Sequence, residues 1–158
     1  MARGIRVGDK APDFTLPAQN GAPVRLSDRL SQRVVVLYFY PKDETSGCTA
    51  EACAFRDSYE VFTEAGAEVI GVSSDSVGKH ASFTDHHKLP FTLVSDEKGQ
   101  LRKTYGVPST LGVLPGRVTY VIDRSGIVRQ VFNSMTNIGR HVNDALDMVR
   151  KLQAERPV

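Results

Sequence analysis

The chain is organised around the stretch VVVLYFYPKDETSGCTAEAC, which occupies residues 34–53. Residues 34–40 are apolar or aromatic with no polar alternation, a pattern typical of a central strand that is buried on both faces. Pro41 ends this strand because proline has no backbone N–H to donate to a sheet. Residues 49–64 then place aromatic side chains at helical spacing, so the stretch predicts a strand followed by a helix.

Further strands and helices are predicted on both sides of this stretch. Strands are predicted over 68–73, 91–94, 117–123 and 127–132, and helices over 76–87, 98–105 and 138–153. Asn20 and Gly21 lie between two short apolar segments and predict the turn of an N-terminal β-hairpin. Residues 105–116 contain several glycines and prolines and are predicted as a long loop. This order predicts an α/β fold, with a mixed central sheet flanked by helices, in one domain over residues 1–158.

The composition is that of a globular protein without a strong preference for a polyanion or a membrane. Charged residues make up 24%, apolar residues 41%, and the net charge is +2, so binding to nucleic acid is not expected. No apolar run approaches the ~20 residues of a membrane span, and the N-terminus shows no apolar signal segment. We therefore expect a cytoplasmic protein. In that reducing compartment two nearby thiols are more often catalytic or redox-sensing than a permanent disulfide.

The histidines do not predict a metal site. His80, His86, His87 and His141 have no cysteine partner at the close spacing of a zinc motif, and they are interpreted as solvated surface residues. Neither a metal nor a cofactor is expected.

Cys48 is predicted to lie in the first turn of the helix that follows the central strand. Unpaired backbone N–H groups and the positive end of the helix dipole favour the thiolate there, and the thiolate is the nucleophilic form. Thr45, three residues earlier, is expected to place its hydroxyl beside the sulfur, and Pro41 to form a rigid wall. Together these residues predict a small pocket that stabilises an anion.

The negative charges near Cys48 predict a cation from elsewhere in the chain. Asp43, Glu44 and Glu51 are all close to Cys48 in the sequence. Negative charge disfavours a thiolate, so a compensating cation is expected. We expect Arg117 to supply it, because it heads a strand that would lie beside strand 34–40 and open at the same end of the sheet. An ordinary surface arginine is the alternative interpretation.

Cys53 is the second cysteine and follows Cys48 by five residues. On an intact helix this spacing corresponds to a rise of about 7.5 Å and a rotation of about 140°, which puts the two Cα atoms roughly 8.7 Å apart. A disulfide needs a separation below about 7 Å. Oxidation of the pair is therefore expected to require unwinding of the first helical turns.

A sheltered thiolate with a second thiol held away from it suits peroxide reduction. Attack by Cys48 on the O–O bond would give a sulfenic acid, Cys53 would convert it to a disulfide, and an external dithiol would reset the pair. Three alternatives remain. The cysteines could be small core residues, or belong to a thiol–disulfide oxidoreductase, although such enzymes usually carry Cys-x-x-Cys. They could also belong to a redox-controlled binding protein.

The segment FYPKDETSGCTAEAC, residues 39–53, resembles the active site of peroxiredoxins, in which a proline is followed by three residues, a threonine, two residues and a cysteine. A second cysteine follows five residues later, and this spacing resembles that of the subgroup called peroxiredoxin Q or bacterioferritin comigratory protein. The resemblance extends from residues 8–14 through residues 116–123 to the last helix. Ser46 is a departure, since many relatives carry proline at this position.

This resemblance implies a thioredoxin-like fold, to which the hairpin predicted above is an N-terminal extension, and a role for each motif residue. Cys48 would be the peroxidatic cysteine, Cys53 the resolving cysteine, Thr45 and Pro41 parts of the pocket, and Arg117 the distal arginine. The implied substrates are hydrogen peroxide or alkyl hydroperoxides, and the implied reductant is thioredoxin or a similar dithiol. Because the disulfide would form within one chain, we expect a monomer or a weak dimer.

Overall fold

The computed structural model describes residues 4–110 and 114–155. In this part of the chain the strands are β1 (Thr15–Pro17), β2 (Pro23–Arg25), β3 (Val34–Phe39), β4 (Ala67–Ser73), β5 (Thr92–Ser95), β6 (Ser109–Thr110), β7 (Leu114–Pro115), β8 (Val118–Ile122) and β9 (Val128–Asn133). The helices are α1 (Leu26–Leu30), α2 (Ser46–Asp57), α3 (Tyr59–Glu64), α4 (Val77–His87), α5 (Gln100–Tyr105) and α6 (Ile138–Glu155). None of these helices is both long and apolar enough to cross a membrane.

The central sheet has the strand order β5-β4-β3-β8-β9, with β3 in the middle. β3 pairs in parallel with β4 and antiparallel with β8, so the predicted mixed sheet is confirmed. Every residue of β3 is buried. Val34, Val36 and Tyr38 pack with the layer that contains α2 and α6, whereas alternate residues such as Leu37 and Phe39 pack with the other layer. Burial on both faces explains why this strand shows no polar alternation.

The topology brings the C-terminal end of β3 and the N-terminal end of β8 to the same edge of the sheet. Phe39, the last residue of β3, pairs with Val118, the first residue of β8. Pro41 follows the first of these ends and Arg117 precedes the second. This antiparallel pairing therefore places the loop before Cys48 and Arg117 at one edge.

The predicted N-terminal hairpin is confirmed, because β1 and β2 form an antiparallel pair. Gly21 adopts a φ of +84° in the connecting turn, a value that glycine reaches without a steric cost. The short helix α1, which follows β2 directly, was not predicted from the sequence.

Two other predictions need correction. The helix predicted over 49–64 begins three residues earlier and is divided at Ser58 into α2 and α3. The break allows Phe55 and Phe62 to pack together in the core, with ring centroids 5.8 Å apart. The loop predicted over 105–116 contains an antiparallel pair, β6 with β7. Residues 111–113 of that loop lie outside the described residues.

Candidate active site

Cys48 lies in the first turn of α2, as its position in the motif predicts. The helix begins at Ser46, and the residue before it, Thr45, has the extended backbone of an N-cap, with φ −79° and ψ 153°. The Cys48 side chain is almost fully buried, and both cysteines are free thiols. The sulfur is therefore sheltered at the positive end of a twelve-residue helix, where the helix dipole stabilises an anion.

Arg117 contacts the sulfur of Cys48 directly. Its Nη2 lies 3.5 Å from Cys48 Sγ, its Nη1 donates to Glu51 Oε1 at 2.6 Å, and its Nε donates to the Met135 carbonyl at 3.1 Å. The residue is buried, so the guanidinium is held in one orientation by groups on both sides. A fixed cation at this distance can stabilise negative charge that develops on or beside the sulfur during a reaction.

Gly47 gives the guanidinium the space that it needs beside α2. A Cβ atom built at this position would lie 3.0 Å from Arg117 Nη2. This distance is tighter than ordinary van der Waals contact, so any larger side chain would displace the guanidinium.

Thr45 and Pro41 lie in the loop between β3 and α2, but they differ from expectation in detail. The Thr45 hydroxyl donates to the Lys42 carbonyl at 2.8 Å and makes no hydrogen bond to Cys48 within the described part of the chain. Its oxygen lone pairs are therefore the groups left for a ligand. Pro41 is half-buried and follows Tyr40, whose carbonyl accepts a hydrogen bond from Arg102 Nη2 at 3.0 Å.

The carboxylates near Cys48 in the sequence each have a partner other than the sulfur. Asp43 is buried between the Tyr40 hydroxyl and His80 Nδ1, each 2.6 Å from one of its oxygens. Glu44 lies at the surface beside two histidines, and Glu51 binds Arg117. Asp43 and Glu44 are therefore directed away from the sulfur, whereas Glu51 shares the Arg117 guanidinium with Cys48.

Glu51 is the buried acid that connects the active-site arginine to α6. Burial raises the pKa of its carboxyl to about 7, although the Arg117 charge acts in the opposite direction. Its second oxygen, Oε2, lies 3.7 Å from His141 Nδ1 and accepts no hydrogen bond within the described residues. Burial also lowers the pKa of His141 to about 4, so this imidazole is neutral at physiological pH.

The interpretation of all four histidines as surface residues is wrong for two of them. His80 and His141 are fully buried, and both ring nitrogens of each have a hydrogen-bond partner. His80 bonds to Asp43 and to the Val94 carbonyl, and His141 to Thr119 and the Ser134 carbonyl. Their partners come from distant elements, which spacing along the chain does not reveal.

Arg102 is a further residue that the sequence analysis missed. Its side chain is buried and donates both to the Tyr40 carbonyl and to the Gly116 carbonyl, at 3.0 and 3.3 Å. It thereby ties the residue before Pro41 to the residue before Arg117. No signal in the sequence distinguishes this arginine from the exposed basic residues around it.

Cys53 lies on the same helix, further along and half-buried. Because α2 is continuous from Ser46 to Asp57, Cys48 and Cys53 have the helical geometry that keeps their Cα atoms beyond disulfide range.

The sequence profile of the AhpC/TSA family matches residues 7–131. The chain belongs to this family. A chloroplastic peroxiredoxin Q of Sedum lineare is 52% identical over 150 residues, which are 94% of this chain and 80% of that protein. Family membership confirms the predicted class of function, a thiol-dependent peroxidase.

Solved structures of the family show the same fold. The peroxidoxin BcpB of Mycobacterium tuberculosis has a TM-score of 0.88 and 40% identity, covering 97% of this chain and 99% of its own. A bacterioferritin comigratory protein of Xanthomonas campestris, described for its alkyl peroxide reduction activity, has a TM-score of 0.82 and 29% identity, covering 89% and 92%. The predicted thioredoxin-like peroxiredoxin fold is therefore confirmed.

The predicted cytoplasmic location is wrong by the same comparison. The Sedum relative is named chloroplastic, and so are similar proteins of rice and Arabidopsis. A compartment is set by an address signal and not by the packing of a folded domain, so the composition used for the prediction does not determine it.

Proposed function

We propose that Cys48 is the peroxidatic cysteine of this thiol-dependent peroxidase. The observation that carries the proposal is the 3.5 Å contact between Arg117 Nη2 and Cys48 Sγ at the start of α2. The thiolate attacks one peroxide oxygen, the O–O bond breaks, and the departing oxygen takes a proton to leave as water or an alcohol. Cys48 is thereby oxidised to a sulfenic acid.

The surrounding residues bind the peroxide and stabilise the developing charge. Arg117 has a guanidinium at the sulfur and can donate to an oxygen that becomes negative as the O–O bond breaks. The Thr45 hydroxyl, whose proton is engaged by Lys42, accepts a hydrogen bond from the peroxide O–H. Pro41 closes the pocket without a competing N–H.

Cys53 acts as the resolving cysteine after the first turns of α2 unwind. Its thiol attacks the sulfenic sulfur of Cys48, an S–S bond forms, and the sulfenic oxygen leaves as water. Unwinding is required because the wound helix holds the two Cα atoms roughly 8.7 Å apart. An external dithiol then reduces the disulfide by exchange and is itself oxidised.

The partners follow from this cycle and from the relatives. Substrates are hydrogen peroxide and organic hydroperoxides, the second supported by the activity named for the Xanthomonas protein. Thioredoxin or a similar dithiol is the reductant. Resolution within one chain needs no second subunit, so the active form is a monomer or a weak dimer, and residues 1–158 form one domain.

The test is steady-state consumption of peroxide with thioredoxin, its reductase and NADPH. The wild type turns over many times, the Cys48→Ser variant is inactive, and the Cys53→Ser variant stops after one equivalent with a sulfenic acid that mass spectrometry detects. Slow stoichiometric oxidation of the wild type, no faster than that of a free thiol, would instead favour a redox-controlled binding protein.

A further inference from the structure

Two histidines and a glutamate from distant segments meet beside the active-site loop. Glu44 lies in the loop between β3 and α2, and His86 and His87 are the last residues of α4. His86 Nδ1 lies 2.9 Å from Glu44 Oε2, and His87 Nε2 lies 2.9 Å from Glu44 Oε1. The three donor atoms all fall within 4.8 Å of one another.

This set has the ligand chemistry of a transition-metal site. Imidazole nitrogens suit Zn²⁺, Cu²⁺, Ni²⁺ and Fe²⁺, whereas Mg²⁺ and Ca²⁺ prefer a shell made of oxygen. Two histidines with one carboxylate also form a set found in zinc enzymes, with a fourth position left to water. A zinc ion about 2.0 to 2.2 Å from each donor requires the donors to be about 3.3 Å apart, which small rotations of these side chains achieve.

The cluster is open to an ion, in contrast to a second cluster next to it. Asp43, Asp75 and His80 are also close together, but they are buried and bonded to each other and to neighbouring groups. The side chains of His86 and Glu44 are 65% and 46% exposed, so an ion reaches them without disturbing the core. The ring of His87 is the fixed member, since it packs edge-on against Phe83 at 5.0 Å.

We propose that Glu44, His86 and His87 form a binding site for a divalent transition-metal ion of the zinc class, and that the bound ion fastens the active-site loop to α4.

The consequence for the enzyme rests on the proposed function. Glu44 comes directly before the N-cap of α2 and has a left-handed backbone, with φ +64°. A metal at its carboxylate cross-links this loop to a helix more than 40 residues away in the sequence. Because Cys53 reaches Cys48 only when the start of α2 unwinds, the ion would slow disulfide formation.

Calorimetric titration with Zn²⁺ tests the site without relying on catalysis. The protein is the untagged full chain with Cys48→Ser and Cys53→Ser, so that thiolates cannot capture the metal. One ion is expected to bind per chain. His87→Ala in the same background should weaken binding by at least about tenfold, the lower end of the losses seen at metal sites when only a supporting residue is removed.

Asp85→Asn is the matched control. Asp85 is an exposed acid on the same helix, paired with Lys88 and outside the cluster, so this variant should bind zinc as tightly as its parent. Absence of binding, or an equal loss in Asp85→Asn and His87→Ala, would overturn the site. Thermal unfolding without metal verifies that both variants fold.

The effect on the disulfide is measured in the chain with both cysteines. After one equivalent of peroxide, acid-quenched mass spectrometry follows disulfide formation with Zn²⁺ or with EDTA. Zinc should slow this step severalfold in the wild type and leave His87→Ala unaffected. Equal slowing in both proteins would mean that zinc acts by binding the cysteine thiols. It would contradict the proposal that the ion fastens the active-site loop to α4. No disulfide even in EDTA would instead refute the resolving role proposed for Cys53.

Discussion

Cys48 and Cys53 lie on one helix, five residues apart, in environments that differ sharply. Cys48 is 1% exposed and contacts a buried guanidinium, whereas Cys53 is half-buried and accepts no hydrogen bond within the described residues. Arg56 lies near Cys53, but its guanidinium donates to Asp57 and to the His87 carbonyl. The two thiols are therefore not equivalent nucleophiles.

The difference separates two requirements of the reaction. The first thiol needs a fixed cation and protection from solvent, and the fold provides both through β8 and the start of α2. The second thiol needs freedom to move, and it lies on a helix whose first turn carries no side-chain cap. The contacts that hold the Cys48 sulfur are thus rigid. The first turn of α2, which must unwind before Cys53 can reach that sulfur, is easily opened.

Replacing the arginine beside each cysteine gives the largest expected contrast. Arg117→Met should lower the second-order rate of the peroxide step by about 100- to 1000-fold, the loss typical of removing one donor from a developing oxyanion. Stopped-flow competition for hydrogen peroxide measures this rate. Arg56→Met is the matched control and should leave it unchanged. Equal losses in the two variants would mean that general positive charge, and not the Arg117 contact, activates Cys48.

Glu51→Gln tests the buried acid that holds Arg117. The folded state raises the pKa of Glu51 from 4.5 to about 7, so ionisation on going from acid to neutral pH costs the folded state stability. The protonated carboxyl therefore contributes stability in full below the unfolded pKa of 4.5, and this contribution is lost as the pH rises through 7. Relative to Glu51→Gln, the wild type should therefore lose roughly 2 kcal/mol of unfolding free energy between about pH 5 and pH 8.

Urea denaturation of both proteins at the two pH values supplies the measurement. A difference that does not change with pH would show that Glu51 titrates normally and that its burial beside Arg117 has been misjudged.

Gly47→Ala tests whether the position of the Arg117 guanidinium affects the rate of the peroxide step. Alanine favours the helix by up to ~1 kcal/mol over glycine, yet its Cβ would lie 3.0 Å from Arg117 Nη2. We expect the peroxide rate to fall by up to about tenfold, less than the ~100-fold that a 1 Å misplacement can cost. Thermal unfolding separates this effect from a loss of fold. An unchanged rate would mean that the arginine moves without consequence.

Ser46→Pro gives the smallest effect and concerns the helix start. Ser46 is the first residue of α2, a position where proline is favoured, and the extended backbone of Thr45 is compatible with a following proline. The variant should gain about 0.4 to 1 kcal/mol in stability and form the disulfide up to a few times more slowly. Denaturant titration and quenched mass spectrometry report the two quantities. A faster disulfide would contradict unwinding at this end of the helix.

The sequence predicted those parts of the fold and site that depend on local pattern. The unbroken apolar run of β3 indicated a strand buried on both faces, and the position of Cys48 after it indicated a helix start. Arg117 was located by topology, because an antiparallel neighbour of β3 begins at the edge where β3 ends. Each of these inferences uses residues adjacent in the chain or in the sheet.

Features made by distant side chains were not predictable. His80 and His141 resemble surface residues until the fold supplies Asp43 and Thr119 as their partners. Arg102 shows no distinguishing pattern, although it ties together the two segments that carry the site. The break at Ser58 depends on how aromatic residues before and after it reach one core, which helical periodicity alone does not encode.

Hydrogen exchange measured by mass spectrometry on the reduced and disulfide forms tests the central claim most directly. Peptides that cover Ser46–Cys53 should exchange much faster in the disulfide form, because the bond requires this part of α2 to be unwound, while peptides from β3 and β8 should remain protected. Equal protection of residues 46–53 in both forms, with the Cys48–Cys53 bond present, would show that the sulfurs join without unwinding and would contradict the account.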